Sequence, residues 1–158
     1  MIDVHEDSAK VGFPPPLVSL GFLLLGLGAD TIFAIPELPL ADTPRYVAGG
    51  GLALAGLVVG LSANMLFNRS DIDVKPWHAT AKLTFDGAFR FTRNPMYLGM
   101  TLLYAGLAIL FLSVCTLALL PVLLVVIQTQ VIAREEHYLE SKFGQDYLAY
   151  KRRVRRWF

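Results

Sequence analysis

The stretch GAFRFTRNPMYLGMTLLYAGLAILF, residues 87–111, places arginine, asparagine, proline and tyrosine directly before a long apolar run. Asparagine is a preferred residue immediately before a helix and proline suits the first helical turn, so the pair Asn94 and Pro95 predicts a helix start. Proline also disfavours helical geometry for the residue before it, which places Asn94 outside the helix. Residues 87–97, called the collar below, are therefore predicted to lie at the mouth of an apolar helix.

Composition places the chain among membrane proteins. Its 158 residues are 54% hydrophobic and 17% charged, whereas soluble domains are about 45–50% apolar and about 25% charged.

A single cysteine excludes an internal disulfide and a cysteine-based metal cage, and no His, Asp and Glu spacing argues for a metal. The net charge of +1 predicts no nucleic-acid partner. An acidic start without a cleavage site predicts that no secretory signal is removed.

Four apolar segments approach the length of about 20 residues that a helix needs to cross the hydrocarbon layer. They cover residues 13–35, 46–67, 95–112 and 116–133. Only the short sequence SVCT separates the last two, so we expect a tight hairpin in which their collar-side ends are neighbours. The predicted fold is an all-α integral membrane protein with four transmembrane helices, a cytoplasmic connecting loop and a C-terminal interfacial helix.

Positive charge is concentrated on one side of this arrangement. Of the 14 lysines and arginines, twelve lie between residues 68 and 94 or after Ala133, and the loop between the first two spans contains only Arg45. Because cytoplasmic loops carry an excess of Lys and Arg, the central loop and both termini are predicted to be cytoplasmic. The basic and aromatic C-terminal residues favour contact with anionic membrane lipids.

The second span is rich in glycine and contains a GxxxG pair, Gly56 and Gly60. Such pairs let helix backbones approach closely. Packing within this chain and a dimer interface are both consistent with the sequence.

A second polar cluster, REEHYLESKFG, follows the last apolar segment at residues 134–144. Helical periodicity continues through it, and Gly144 after Phe143 predicts the end of a helix. Adjacent helix positions lie about 100° apart, so one of Glu135 and Glu136 can face the protein while the other faces water. The pair is either a solvated helix exit beside Arg134 or half of a ligand site.

The collar allows the same two interpretations. Arginine and tyrosine are ordinary residues at a membrane interface. Alternatively, the first N–H groups of the helix and Arg93 form an anion site, beside which Tyr97 packs on a flat ligand. One glutamate of the second cluster would then bind an ammonium or hydroxyl group of that ligand.

Together, GAFRFTRNPMYLG and the later REEHYLESKFGQDYLAYKRRVRRW resemble the membrane methyltransferases related to isoprenylcysteine carboxyl methyltransferase and the phospholipid N-methyltransferases. The resemblance covers roughly residues 82–157. It implies S-adenosylmethionine as methyl donor, S-adenosylhomocysteine as product and a lipophilic acceptor that enters from the bilayer. We expect a single membrane domain, 1–158, in which residues 1–67 form two N-terminal spans and residues 82–158 form the cofactor-binding methyltransferase core.

The resemblance also implies which residues form the site. Those expected to bind the cofactor are Lys82, Leu83, Gly87, Arg93, Asn94, Pro95, Tyr97, Leu98, Gly99, Glu135, Glu136, Tyr147 and Tyr150. Arg93 and Glu135 are expected to be catalytic, since Arg93 suits the carboxylate of the donor and a glutamate suits its ammonium group. Asn94 replaces a histidine of many members, which removes a proton carrier, and Phe89 replaces a tyrosine.

The favoured activity is O-methylation of an isoprenylcysteine-like carboxylate, a displacement that depends on alignment of the reacting atoms. Three alternatives stay open: a phospholipid N-methyltransferase, an NADPH-dependent membrane reductase, and a non-enzymatic four-helix membrane scaffold. For the reductase alternative, no dinucleotide-binding fingerprint is recognisable in this sequence.

Overall fold

The structure, a computed structural model, describes residues 11–69 and 86–157, and helices make up most of this part of the chain. Helix α1 spans Pro15–Ile32. A single turn, α2 (Asp42–Pro44), a π-helical turn (Arg45–Gly49) and α3 (Gly50–Arg69) follow one another without a break. The central connecting loop that was predicted between the second and third spans falls largely outside the described residues.

The second half begins with a 3-10 turn, Gly87–Arg90, and helix α4, Pro95–Leu110. Helix α5 (Val114–Ile127), a second π-helical turn (Gln128–Ile132) and α6 (Ala133–Phe143) form one continuous helical rod. Gly144, with a φ of +51°, ends α6 as predicted. Helix α7 spans Gln145–Arg153.

Three helical stretches in the described residues are long and apolar enough to cross a membrane: Pro15–Ile32, Asp42–Leu66 and Val114–Phe143. Helix α4 is also apolar but has only 16 residues. Its length is therefore about 24 Å, less than the hydrocarbon thickness of about 30 Å. The predicted all-α membrane class is confirmed. The predicted third span starts at Pro95 as expected and is short, and the predicted fourth span continues well beyond Ala133.

Helix α4 occupies the centre of the molecule. It packs on α3 at one side and on α5 at the other, and α1 packs mainly on α5. The buried Tyr104 joins the hairpin, because its hydroxyl donates to the carbonyl oxygen of Thr116 at 3.0 Å. This arrangement confirms that the last two long apolar segments form a hairpin.

Glycines allow α3 and α4 to approach at backbone distance. A Cβ atom on Gly56 would lie 2.5 Å from the carbonyl oxygen of Gly99, and one on Gly99 would lie 2.6 Å from the amide nitrogen of Gly60. A second contact of this kind joins Gly49 and Gly106. The GxxxG pair therefore packs within the chain, and a dimer through the second span stays a prediction.

Asp30 closes the end of the bundle opposite the collar. Its Oδ1 accepts a hydrogen bond from the backbone N–H of Cys115 at 3.0 Å, and the Ser113 hydroxyl donates to its Oδ2. An acidic side chain at a helix N-terminus satisfies free N–H groups and complements the helix dipole. Asp30, which no sequence pattern singled out, thus joins the end of α1 to the start of α5.

The outward surfaces of the long helices are apolar. Exposed large side chains on α1, α3 and α5 include Leu17, Leu20, Leu24, Leu25, Leu54, Leu57, Val58, Leu61, Met65, Val122 and Val125. Apolar surface of this extent is typical of a protein surrounded by lipid.

Candidate functional site

The collar starts with a turn that requires glycine. Gly87 has a φ of +56°, in the left-handed region that side chains disfavour. The turn buries Phe89, whose carbonyl oxygen accepts a hydrogen bond from the Tyr150 hydroxyl at 2.7 Å. The collar is thereby joined to α7.

Asn94 precedes α4 as predicted, but it is not a side-chain cap. Within the described part of the chain, no hydrogen bond joins its side chain to the first turn of α4. Its Nδ2 instead donates to the carbonyl oxygen of Arg156 at 3.0 Å, which also accepts from Thr92 Oγ1 at 2.9 Å. Asn94 is therefore the residue before the helix, as predicted, but its amide binds the Arg156 carbonyl oxygen and does not cap the helix.

Residues 154–157, called the C-terminal segment below, run along the collar. The backbone N–H of Arg93 donates to the carbonyl oxygen of Arg155 at 2.9 Å, next to the contacts of Arg156. Trp157 Nε1 donates to Gln128 Oε1 at 3.2 Å. The end of the chain is therefore part of the site region, whereas the sequence predicted only an interfacial helix there.

The two predicted half-sites meet at Tyr97 and Glu135. The Tyr97 hydroxyl of α4 donates to Glu135 Oε1 of α6 at 2.5 Å, and both residues are partly buried. The π-helical turn Gln128–Ile132 comes just before α6. A π-turn contains an extra residue and so rotates the following residues around the helix axis, which sets the face that Glu135 presents to α4.

Glu136 is the centre of an ion network and is only 6% exposed. Arg156 binds it with two hydrogen bonds, Nε to Oε1 at 3.0 Å and Nη2 to Oε2 at 2.6 Å. Arg93 Nη1 lies 3.2 Å from Oε1, and Lys151 Nζ lies 3.8 Å from Oε2. A buried carboxylate needs such partners, so this network accounts for the position of Glu136.

Arg93 is buried beside Glu136 and has unused hydrogen-bond donors. Its side chain is 9% exposed. Among the described residues, no acceptor forms a hydrogen bond with its buried Nε and Nη1 atoms. Buried polar atoms without partners are uncommon in folded proteins, and a guanidinium group of this kind is suited to bind an anion.

Tyr147 and Tyr150 of α7 lie beside this network. Both are buried, and their ring centroids lie 6.1 Å apart. Burial, helped by the charge of Glu136, raises the pKa of Tyr147 to about 12, although Arg93 opposes the rise. Burial also raises the pKa of Tyr150. Both phenols therefore remain neutral hydrogen-bonding groups near neutral pH.

The remaining predicted residues fall into three groups. Pro95 is buried at the start of α4 and Leu98 is partly buried one turn further along. Gly99 lies about 200° around the helix from Tyr97, and it packs against Gly56 and Gly60 instead of facing the glutamates. Lys82 and Leu83 lie outside the described residues.

Several residues of the site were not identified from the sequence: Thr92, Lys151, Arg156 and Trp157. Arg156 is one of several cations in KRRVRRW, and nothing in that run distinguishes it from Arg155. No group of three His, Cys, Asp or Glu that could hold a metal ion occurs in residues 11–69 and 86–157.

The family model described as phospholipid methyltransferase matches residues 44–146, which include the second span as well as both half-sites. A Haemophilus influenzae protein described as uncharacterized is 48% identical over 63 residues, which are 39% of this chain and 98% of that relative. No solved structure matches the chain. Since the family model covers more than half of the sequence, the chain belongs to the phospholipid methyltransferase family of membrane proteins.

Proposed function

We propose that this protein transfers a methyl group from S-adenosylmethionine to a lipid-soluble acceptor at the collar end of the bundle. The observation that carries the proposal is that the two half-sites meet: Arg93 Nη1 lies 3.2 Å from Glu136 Oε1, and Tyr97 donates to the adjacent Glu135. In residues 11–69 and 86–157, Nε and Nη1 of Arg93 are buried without a hydrogen-bond acceptor, and Glu135 is joined to Tyr97 on the neighbouring helix.

The residues present suit the charged groups of the donor, which has a carboxylate, an ammonium group and a sulfonium. Arg93 would hold the carboxylate through its unused N–H groups. Glu135 would hold the ammonium group. Its Oε1 accepts the hydrogen bond from Tyr97, and its Oε2 takes no part in that bond. Glu136 is already engaged by Arg156, so the cofactor role predicted for the glutamate pair passes to Glu135.

When bound, S-adenosylmethionine supplies an activated methyl group on its sulfonium sulfur. The chain contributes orientation, because the Tyr97 hydroxyl holds Glu135 and Arg93 is buried beside Glu136. It also restricts water, because Tyr147 and Tyr150 are buried beside the network. The apolar outward surfaces of the long helices favour an acceptor that stays in the membrane.

The acceptor class is the finer part of the proposal. An isoprenylcysteine-like carboxylate is the first candidate, because the collar and residues 134–157 resemble enzymes that methylate this group. A phospholipid amine is the second candidate, and the description of the matched family favours it. Both acceptors are lipid-soluble, and both would reach the site through the apolar surroundings of α1, α3 and α5.

The test is methyl transfer by the purified protein in mixed micelles with labelled S-adenosylmethionine. A prenylated cysteine and a phospholipid with a primary amine headgroup are offered separately. We expect the wild-type protein to transfer the labelled methyl group to one of the two lipids, and Arg93→Ala to transfer none. Thermal shifts are measured in parallel with S-adenosylhomocysteine and NADPH. Stabilisation by NADPH alone would support the reductase, and full activity of Arg93→Ala in transfer would contradict the proposed site.

A further inference from the structure

Two arginines compete for one buried carboxylate. Arg156 makes two hydrogen bonds with Glu136, one to each oxygen. Arg93 reaches the same group only through Nη1, at 3.2 Å from Oε1, and this contact lacks hydrogen-bond geometry. A bidentate guanidinium–carboxylate pair is stronger than a single contact, so Glu136 is engaged mainly by Arg156.

The backbone places the Arg156 side chain. Its carbonyl oxygen accepts hydrogen bonds from both Thr92 Oγ1 and Asn94 Nδ2, at 2.9 and 3.0 Å. The neighbouring Arg155 carbonyl accepts from the N–H of Arg93. The C-terminal segment is thus held at the residues that flank Arg93, and Arg156 points its guanidinium at Glu136 from this fixed position.

Lys151 is a weaker competitor for Glu136. It lies 3.8 Å from Oε2, is partly exposed and also contacts Glu140. If Arg156 were removed, the buried Glu136 carboxylate would need a cation closer than Lys151. Arg93 is already beside it.

We propose that Arg156 is a positioning residue: by occupying Glu136 it prevents Arg93 from pairing fully with that carboxylate and keeps the Arg93 donors available for the anionic group of the methyl donor. The inference rests on the proposed function. It assigns to Asn94 and Thr92 the task of holding the C-terminal segment, which explains why the Asn94 side chain does not cap α4.

The experiment is isothermal titration of S-adenosylhomocysteine into the full-length protein in detergent. Arg156→Gln is expected to weaken binding about tenfold or more, as the loss of a charge-assisted contact does. The double variant Arg156→Gln with Glu136→Gln should bind more tightly than Arg156→Gln alone, because the competing carboxylate is gone. Arg156→Lys, which keeps the charge but not the bidentate pair, should be intermediate.

Arg153→Gln is the matched control. Arg153 is exposed in the same tail, and its removal changes the net charge by the same amount. We expect wild-type affinity for this variant. In transfer assays Arg156→Gln should raise KM for the donor and leave kcat at saturating donor nearly unchanged, which a general loss of structure would not do.

Wild-type affinity of Arg156→Gln, or a double variant as weak as Arg156→Gln, would overturn the inference. If Arg156→Gln does not fold, Arg156→Lys decides: affinity equal to wild type overturns the positioning role, and reduced affinity with an unchanged unfolding temperature supports it. Failure of the folded wild-type protein to bind would instead refute the proposed function, so the two failures are distinguishable.

Discussion

At the scale of single residues, two adjacent glutamates have different surroundings. The step of about 100° between neighbouring helix positions turns them to different partners. Glu136 meets Arg93 and Arg156, whereas Glu135 meets Tyr97. One carboxylate is therefore engaged within the fold, and the other is the one that we propose binds the ligand.

This division predicts opposite effects of two matched substitutions. Glu135→Gln should reduce the affinity for S-adenosylhomocysteine about ten- to one hundred-fold, the loss of a charged hydrogen bond, with a small effect on stability. Glu136→Gln should lower the free energy of unfolding by about 3 kcal/mol, because the buried Arg93 and the partly buried Arg156 lose their partner. Titration and unfolding in detergent measure the two effects, and the same stability loss in both variants would contradict the division.

Residue identities were predictable where local sequence carries the signal. Arg93 and Tyr97 stand beside the Asn–Pro pair, and Glu135 follows an apolar run, so their neighbourhood was predicted. Arg156 could not be predicted, because its contacts depend on how the C-terminal segment folds back to the collar. No short sequence pattern indicates this.

At the scale of helices, the contact between α3 and α4 uses the two members of the GxxxG pair differently. A Cβ atom on Gly56 would lie 2.5 Å from the Gly99 carbonyl oxygen, but one on Gly60 would meet no atom of the described residues within 4 Å. Gly60 is approached through its backbone nitrogen instead. The motif is visible in the sequence, whereas the asymmetry requires the relative position of the helices.

Alanine substitutions test this asymmetry. Gly56→Ala should cost about 1–3 kcal/mol of unfolding free energy, because backbone must move to admit the methyl group. Gly60→Ala should be neutral or stabilise by up to about 1 kcal/mol, since alanine favours helix. Unfolding of both variants in the same detergent is the measurement. Equal destabilisation by the two substitutions would contradict this packing of α3 on α4.

Helix boundaries were predicted unevenly. The start of α4 at Pro95 and the end of α6 at Phe143 follow from proline and glycine signals, and both are confirmed. The two π-helical turns, Arg45–Gly49 and Gln128–Ile132, were not predicted. Nothing in their sequences favours the extra residue that a π-helical turn contains. Packing against neighbouring helices decides their geometry.

At the scale of the whole molecule, both polar blocks lie at the same end of the bundle. The collar, the glutamates and the C-terminal segment meet there, and Asp30 and Ser113 lie at the opposite end. The positive-inside rule predicts that the collar end faces the cytoplasm, together with both termini.

Thiol labelling tests this orientation. In a Cys115→Ser background, Glu37→Cys places a thiol in the exposed loop at the Asp30 end, and Gln145→Cys places one in α7. An impermeant maleimide should label Glu37→Cys in right-side-out spheroplasts and should label Gln145→Cys only after permeabilisation. The reverse pattern would invert the predicted topology.

The central claim is that the collar ends of α4 and α6 hold one molecule of S-adenosylmethionine between Arg93 and Glu135. Isothermal titration of S-adenosylhomocysteine into the protein in detergent tests it most directly. We predict saturable binding with one site per chain, abolished by Arg93→Ala and retained by Arg153→Gln. A protein that unfolds cooperatively and yet shows no saturable binding would contradict the claim.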